Sequence, residues 1–215
     1  EERPYDTLRL ILATTRRREK AKETRDVILE TGLRLFEERG FNEVSVEQIT
    51  REAGVAKGSF YTHFSTKSDL IVAEFWVIDD YYRKYSTRNL QRYKTARDKL
   101  IAFTRAQMRY VRDVVGNAKL KILYANQASE PGSAKVITNR ERQWHKIVRG
   151  IILEGQEAGD IRTDLDADRL TVLFNRCARG VLLDWCVSDG SFDLVREGVC
   201  TMEEWAITAL STRSE

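Results

Sequence analysis

SVEQITREAGVAKGSFYTHFSTKSDL, residues 45–70, decides the fold of this chain, because it encodes two short helices joined by a tight turn. Ser45 followed three positions later by Gln48 forms a reciprocal capping box, so a helix is expected from Val46. Val46, Ile49 and Ala53 recur at helical spacing and make one apolar face. Gly54 closes that helix: glycine enters the left-handed region without a Cβ penalty, and the chain can reverse there and begin a second helix near Ala56 or Lys57. Val55 fills the corner. In the second helix Phe60 and Phe64, four apart, face inward and leave Lys57, Ser59, Tyr61 and His63 to project outward. Two helices at such a turn, with polar groups on the outer face of the second, suit insertion into a DNA groove.

Upstream, Val27, Ile28, Leu35 and Phe36 form a helical stripe with the small Thr31 and Gly32 between, closed by Gly40, which completes a three-helix unit. Downstream, Ser65 is a candidate cap for a fourth helix through Leu70, Ile71, Phe75, Ile78 and Tyr82. A fifth spans about residues 96–115, with Leu100, Phe103, Gln107, Tyr110, Val111 and Val114 inward, until Gly116 breaks it; residues 119–128 make a short sixth. Glu130-Pro131-Gly132 is a breaker. The seventh carries Ile137, Trp144, Ile147, Val148, Ile151 and Ile152, and Gly159-Asp160 is the next turn. An eighth runs over about residues 166–188, with Leu170, Phe174, Cys177, Val181 and Trp185 apolar. A ninth follows Asp189-Gly190 and passes through Leu194, Val199, Met202, Trp205 and Leu210. No strand pattern emerges. The expected fold is all-α, about nine helices: a basic arm over 1–22, a three-helix DNA-binding domain over 23–70, and a larger helical domain over 71–215.

The chain of 215 residues has a net charge of +3, but residues 1–75 hold 13 basic against 14 acidic side chains. Bulk charge therefore does not argue for DNA; local placement does, since seven basic residues lie between Arg9 and Arg25 with only Glu19 and Glu23. That run reads either as an arm following phosphates or a minor groove, or as a solvated tail. Residues 83–121 carry twelve basic residues against Asp98 and Asp113, whereas 150–215 carry six basic against thirteen acidic. Arg105, Arg109 and Arg112 share one helix face and read first as an exposed stripe, second as an anion site. The three cysteines, Cys177, Cys186 and Cys200, lack metal-ligand spacing and read as small core residues. No apolar span approaches the ~20 residues of a membrane crossing. The segment 8–13 is too short for a signal core, and a cytoplasmic setting fits best. The start at Glu1 rather than Met reads as a trimmed or partial product.

With LFEERGF, AGVAKGSFYTHF and KSDL in order, residues 27–75 resemble the DNA-binding domain of TetR-family transcriptional regulators. The likeness covers about the first third of the chain; the rest agrees in helix count and length. It implies a homodimer that sets two recognition helices in successive major grooves of a palindromic operator, about 34–36 Å apart or a multiple of that. By position, Lys57, Gly58 and Ser59 would approach base edges, Tyr61, His63 and Lys67 would touch phosphates, and Ser45 would meet the backbone from the neighbouring helix. Two departures stand out. Thr50 replaces a common small alanine, and Ala56 replaces a capping serine or threonine.

Catalysis is not expected. His63 and His145 are the only histidines, no phosphate loop or nucleophile elbow appears, and neither a metal nor a cofactor is called for. Phe103, Gln107, Tyr110, Tyr124, Asn126, Trp144, Phe174 and Asn175 bring rings and amides toward the middle of the later helices, a mixture that suits either an effector pocket or an ordinary core. The resemblance favours a small-molecule effector of unknown identity; control by a protein partner is the other possibility. The last two long helices are expected to pair with their copies in a second subunit, with Ala178 and Gly180 allowing close approach and Trp185 and Trp205 supplying buried area.

Overall fold

The computed structural model describes residues 4–129 and 135–211, with side chains from residue 15 onward. Two compact units divide the chain, Glu1–Glu74 and Phe75–Glu215.

The first unit is built on α1 (Pro4–Arg39), α2 (Val46–Glu52), α3 (Lys57–His63) and the opening turns of α4 (Ser68–Asn89). The basic run expected as an arm is helix from Pro4, continuous with the rest of α1, and Arg16, Arg17, Arg18, Lys20 and Lys22 are exposed along it. Ile28, Leu35, Phe36, Ile49, Phe60 and Leu70 close the core. Val27, assigned to the inward stripe, is 43 % exposed; Leu29 and Leu33 are buried instead. Gly32 lets Leu70 sit against α1, since any Cβ there would run into the Leu70 side chain.

The turn that aims α3 follows from the sequence. Ser45 N donates to Gln48 Oε1 at 2.7 Å and Ser45 Oγ accepts from Gln48 N at 3.2 Å, so the capping box is present. At the other end Gly54 has φ of 68°. There Val55 N donates to Thr50 O and Gly54 N to Arg51 O, the paired bonds of a Schellman close. Thr50 is buried, but its hydroxyl donates to Glu47 O at 3.2 Å, so the larger side chain leaves no orphaned group. Ala56 supplies no side-chain cap to α3.

The second unit holds the remainder of α4, α5 (Ala96–Tyr110) with a π turn at Val111–Val115, α6 (Asn117–Ser129), a 3₁₀ turn at Val136–Thr138, α7 (Gln143–Ala158), α8 (Ala167–Val187) and α9 (Leu194–Thr201), which continues through a second π turn, Met202–Ile207, and a last turn, Thr208–Leu210. Thr95, Asp166 and Asp193 cap α5, α8 and α9 by accepting from backbone N–H groups. α5 packs on α7 and α9, and α8 on α6 and α7, around Leu100, Phe103, Met108, Leu123, Val148, Ile152 and Phe174. Gly155 admits Ala96 and Ile161 so closely that an added Cβ would lie 2.5 and 2.7 Å from their atoms. The only extended pairing among the described residues is an isolated bridge between Ile161 and Ser211.

The structure differs from several of these expectations. The π turn adds a residue to the helical register, so Val115 is buried and Val114 is 57 % exposed. Ile137 lies in the 3₁₀ turn rather than in α7. Only Cys186 is buried, whereas Cys177 and Cys200 are exposed. Glu130-Pro131-Gly132 lies outside the described residues. Four of the twelve basic residues over 83–121 pair with acidic residues later in the chain: Arg97 with Glu203 at 2.8 Å, Arg112 with Asp193 at 3.7 Å, Lys99 with Glu154, and Lys121 with Asp189. Arg105, Arg109 and Arg112 are exposed, as the plainer alternative has it. Among the described residues no helix is long and apolar enough to cross a membrane, and no group of His, Cys, Asp and Glu is placed to hold a metal ion.

Candidate nucleic-acid interface and interior cavity

Phe60 on α3 is fully buried, and Phe64, the extended residue that ends the helix, nearly so, their rings 5.6 Å apart. This anchoring fixes which side chains face outward. Lys57 and Gly58 are exposed, Ser59 and His63 half-buried, and Tyr61 is 53 % exposed with its ring edge-on to Phe60. A Cβ at Gly58 would meet nothing within 4 Å, so the start of α3 is open to close approach. Lys57 Nζ pairs with Glu47, and that hydrogen bond raises the ammonium's pKa and lowers the carboxylate's. Both groups are exposed, and such a pair is weak enough to exchange for a DNA acceptor. Ser45 is exposed at the start of α2.

Lys67 departs from its expected role. Its Nζ donates to Phe41 O at 2.7 Å, to Val44 O at 3.1 Å and to Asn42 O at 3.4 Å, and it sits 4.4 Å from the Phe41 ring centroid. An ammonium has three donors. Lys67 therefore ties down the α1–α2 loop and has none left for a phosphate in this conformation.

In the second unit a small cavity of about 50 Å³ opens among the helices. Phe75, Ile78 and Tyr82 face it from α4 at helical spacing. Gln107 and Val111 come from the end of α5, Leu120 and Tyr124 from α6, and Trp144 and His145 from α7. Asn175, Arg179 and Leu182 are successive turns of α8. Of the eight residues named for an effector pocket, Gln107, Tyr124, Trp144 and Asn175 line this cavity. The other four candidates do not. Phe174 stacks on Trp144 with centroids 6.1 Å apart, Phe103 lies 6.5 Å from Trp144, Tyr110 stacks on Tyr81 at 3.9 Å, and Asn126 is buried beside Gln127.

The polar lining was less visible in the sequence. Arg142 is buried against Asp79: its Nε lies 3.1 Å from both carboxylate oxygens and its Nη2 2.7 Å from Oδ1. Nη2 also donates to Phe75 O at 3.4 Å, and Asp79 Oδ2 accepts from Gln143 N at 3.0 Å, so Asp79 serves as cap for α7 from outside the helix. Gln107 Oε1, Trp144 Nε1 and His145 Nε2 are buried without a hydrogen-bond partner. Burial, followed by the charge of Arg140, pushes the His145 imidazole below its ordinary range. Burial raises Tyr82 and Tyr124 and pushes Cys186 up to about 11. His145, Arg142 and Arg179 carry no ring-and-amide pattern in the sequence; only their placement marks them.

The dimer candidates divide. Ala178 and Trp185 are buried inside their own chain, 1 % and 6 % exposed, and so are not free to meet a partner. Gly180 is exposed and Trp205 is 74 % exposed, on a surface groove shared with Cys177, Val181 and Phe192.

A capped helix, a glycine-hinged turn and a second helix presenting polar groups outward define a helix-turn-helix DNA-binding protein. The family model described as bacterial regulatory proteins, tetR family, matches residues 28–73. Over 168 residues the chain is 30 % identical to the HTH-type transcriptional repressor DhaR of Mycobacterium sp. (strain GP1), covering 74 % of this chain and 80 % of that protein. The chain belongs to the TetR family and is a DNA-binding transcriptional regulator, not an enzyme. Among solved structures it is similar in fold to Thermus thermophilus FadR in complex with lauroyl-CoA, with a TM-score of 0.67 and 18 % identity over 89 % of this chain and 97 % of that one. A SmeT–triclosan complex matches with a TM-score of 0.67 and 17 % identity over 89 % and 93 %.

Proposed function

We propose that the chain acts in the cytoplasm as a homodimeric repressor that binds a palindromic operator and is released by a small-molecule effector. The outward face of α3, with Lys57, Gly58 and Ser59 at its open start, carries the DNA part of this reading. Base contacts fall to Lys57 and Ser59, close approach to Gly58, and phosphate contacts to Tyr61, His63 and Ser45. The exposed apolar side chains Leu183 and Val187 of α8 and Trp205 after α9 support pairing of α8 and α9 with a second copy, with Gly180 leaving room. The cavity and the ligand complexes of FadR and SmeT support the effector. Control by a protein partner is the second reading, favoured by the cavity's small size: about 50 Å³ holds a few waters, whereas drug-sized ligands take ~300 Å³ or more.

An effector must bind the DNA-incompetent shape more tightly, because equal affinity for both shapes shifts nothing. α4 is the natural carrier of that change, since one continuous helix contributes Leu70 to the first unit and Phe75, Ile78 and Tyr82 to the cavity. The test is a binding profile over single-base operator variants. Lys57→Ala and Ser59→Ala should alter base preference, and Tyr61→Phe and His63→Ala should weaken all sequences alike. Identical profiles from the two groups would overturn the assignment.

A further inference from the structure

We propose that the effector is a small organic acid, a monocarboxylate on an aromatic or aliphatic body, whose carboxylate is received by Arg179. This rests on the effector reading above. Three observations about the cavity converge on it. First, the body of the lining is apolar: Phe75, Ile78, Val111, Leu120 and Leu182 accept a hydrocarbon frame. Second, the charge balance of the lining is positive. Among the described residues no carboxylate lines the cavity. The Arg142 charge is cancelled by Asp79, as the bonds above describe, but half-buried Arg179 has no ion pair or hydrogen bond to any described residue. Burial disfavours a charge on His145. A guanidinium on an apolar wall offers a planar fork of donors that matches a carboxylate.

Third, the buried polar atoms ask for the same partner. Trp144 lines the cavity and is 95 % removed from solvent, and its unpartnered Nε1 is a donor only, so an acceptor on the occupant would satisfy it. Arg179 also only donates. A carboxylate brings two acceptor oxygens, whereas an amine or a cation would leave Trp144 unpaired and meet Arg179 with like charge. His145 Nε2 and Gln107 Oε1 remain for a second polar group on the acid, such as a hydroxyl. Leaving such groups unmatched on binding is costly, and this gives the site its selectivity. The present volume is below the ~150 Å³ that admits a benzene ring. The acid therefore enters only as the cavity widens, so it selects a shape different from this one.

The experiment uses the full chain and matched probes: 3-phenylpropionate, octanoate and decanoate, each beside its primary amide. Trp fluorescence and thermal melting are read on the native protein, Arg179→Gln and Arg179→Lys, with melts without probe checking that each variant folds. The acids should bind at least about tenfold tighter than their amides, the size of a charge-assisted bond lost. R179Q should bring acid down to the level of amide, and R179K should restore part of the difference. Equal binding of acid and amide, or an acid preference that survives in R179Q, would overturn the carboxylate assignment. Failure of every probe to bind would overturn it too. If a neutral compound then binds and lifts the protein from its operator, the effector reading stands while this inference falls.

Discussion

At Lys67 the family pattern and the local geometry pull in different directions. The position suggests a phosphate contact, but three loop carbonyls and the Phe41 ring surround the ammonium. Lys67→Met should therefore lower stability by about 1–2 kcal/mol, the net worth of such bonds, seen as a fall in the urea midpoint. The slope of log affinity against log salt for operator binding should stay unchanged. A slope reduced by about one with stability intact would return Lys67 to the phosphate backbone. His145 gives a pH signature. Its folded value is below the ordinary 6.5 because burial disfavours the imidazolium. As pH falls through 6.5 the unfolded chain takes up a proton that the folded chain refuses, so stability is complete above 6.5 and declines below it toward the folded value. His145→Gln should flatten the decline below pH 6.5 in urea melts. Parallel curves for the two proteins would refute this.

Among the elements, the contact between α4 and the start of α7 is the most consequential, because Asp79 both neutralises buried Arg142 and caps Gln143. Asp79→Ala strands that guanidinium in the interior and should cost about 3–5 kcal/mol, a large share of the ~5–15 kcal/mol that holds a typical domain. Asp79→Leu with Arg142→Met should recover much of it, since an apolar pair removes the unpaired charge. A loss below about 1 kcal/mol in the single variant would contradict the role given to Asp79. The boundaries of these helices were legible where glycines and caps mark them: Gly40, Gly54, Gly116 and Gly159 all adopt positive φ. The π turn was not, because no residue type announces an extra residue within a helix, and the inward position moved from Val114 to Val115. Ala56 was legible as a missing cap and is one.

For the whole molecule, the two units differ in how much of them the sequence discloses. The DNA-binding unit carries its signals at short range: Ser45, Gly54, Phe60 and Phe64 lie within twenty residues of one another, so their spacing exposes the outer face of α3. The cavity is long-range. Whether a ring lines it or packs behind depends on the rotation of five helices against one another, which separates Trp144 from Phe174 and Tyr124 from Tyr110 although all four have similar patterns. The same limit applies to the tryptophans of the last helices, where Trp185 turns inward and Trp205 outward. Long-range pairing offsets part of the uneven charge, since Arg97, Lys99, Arg112 and Lys121 meet acidic partners on and around α7 to α9. The central claim is that two copies of α3 enter successive major grooves. Selection of binding sites from random duplex DNA by the purified chain tests it most directly. An enriched palindromic word with half-sites about one helical turn apart, shifted in sequence by Ser59→Ala, is the predicted result; no enriched word, or a single unrepeated half-site, would contradict it.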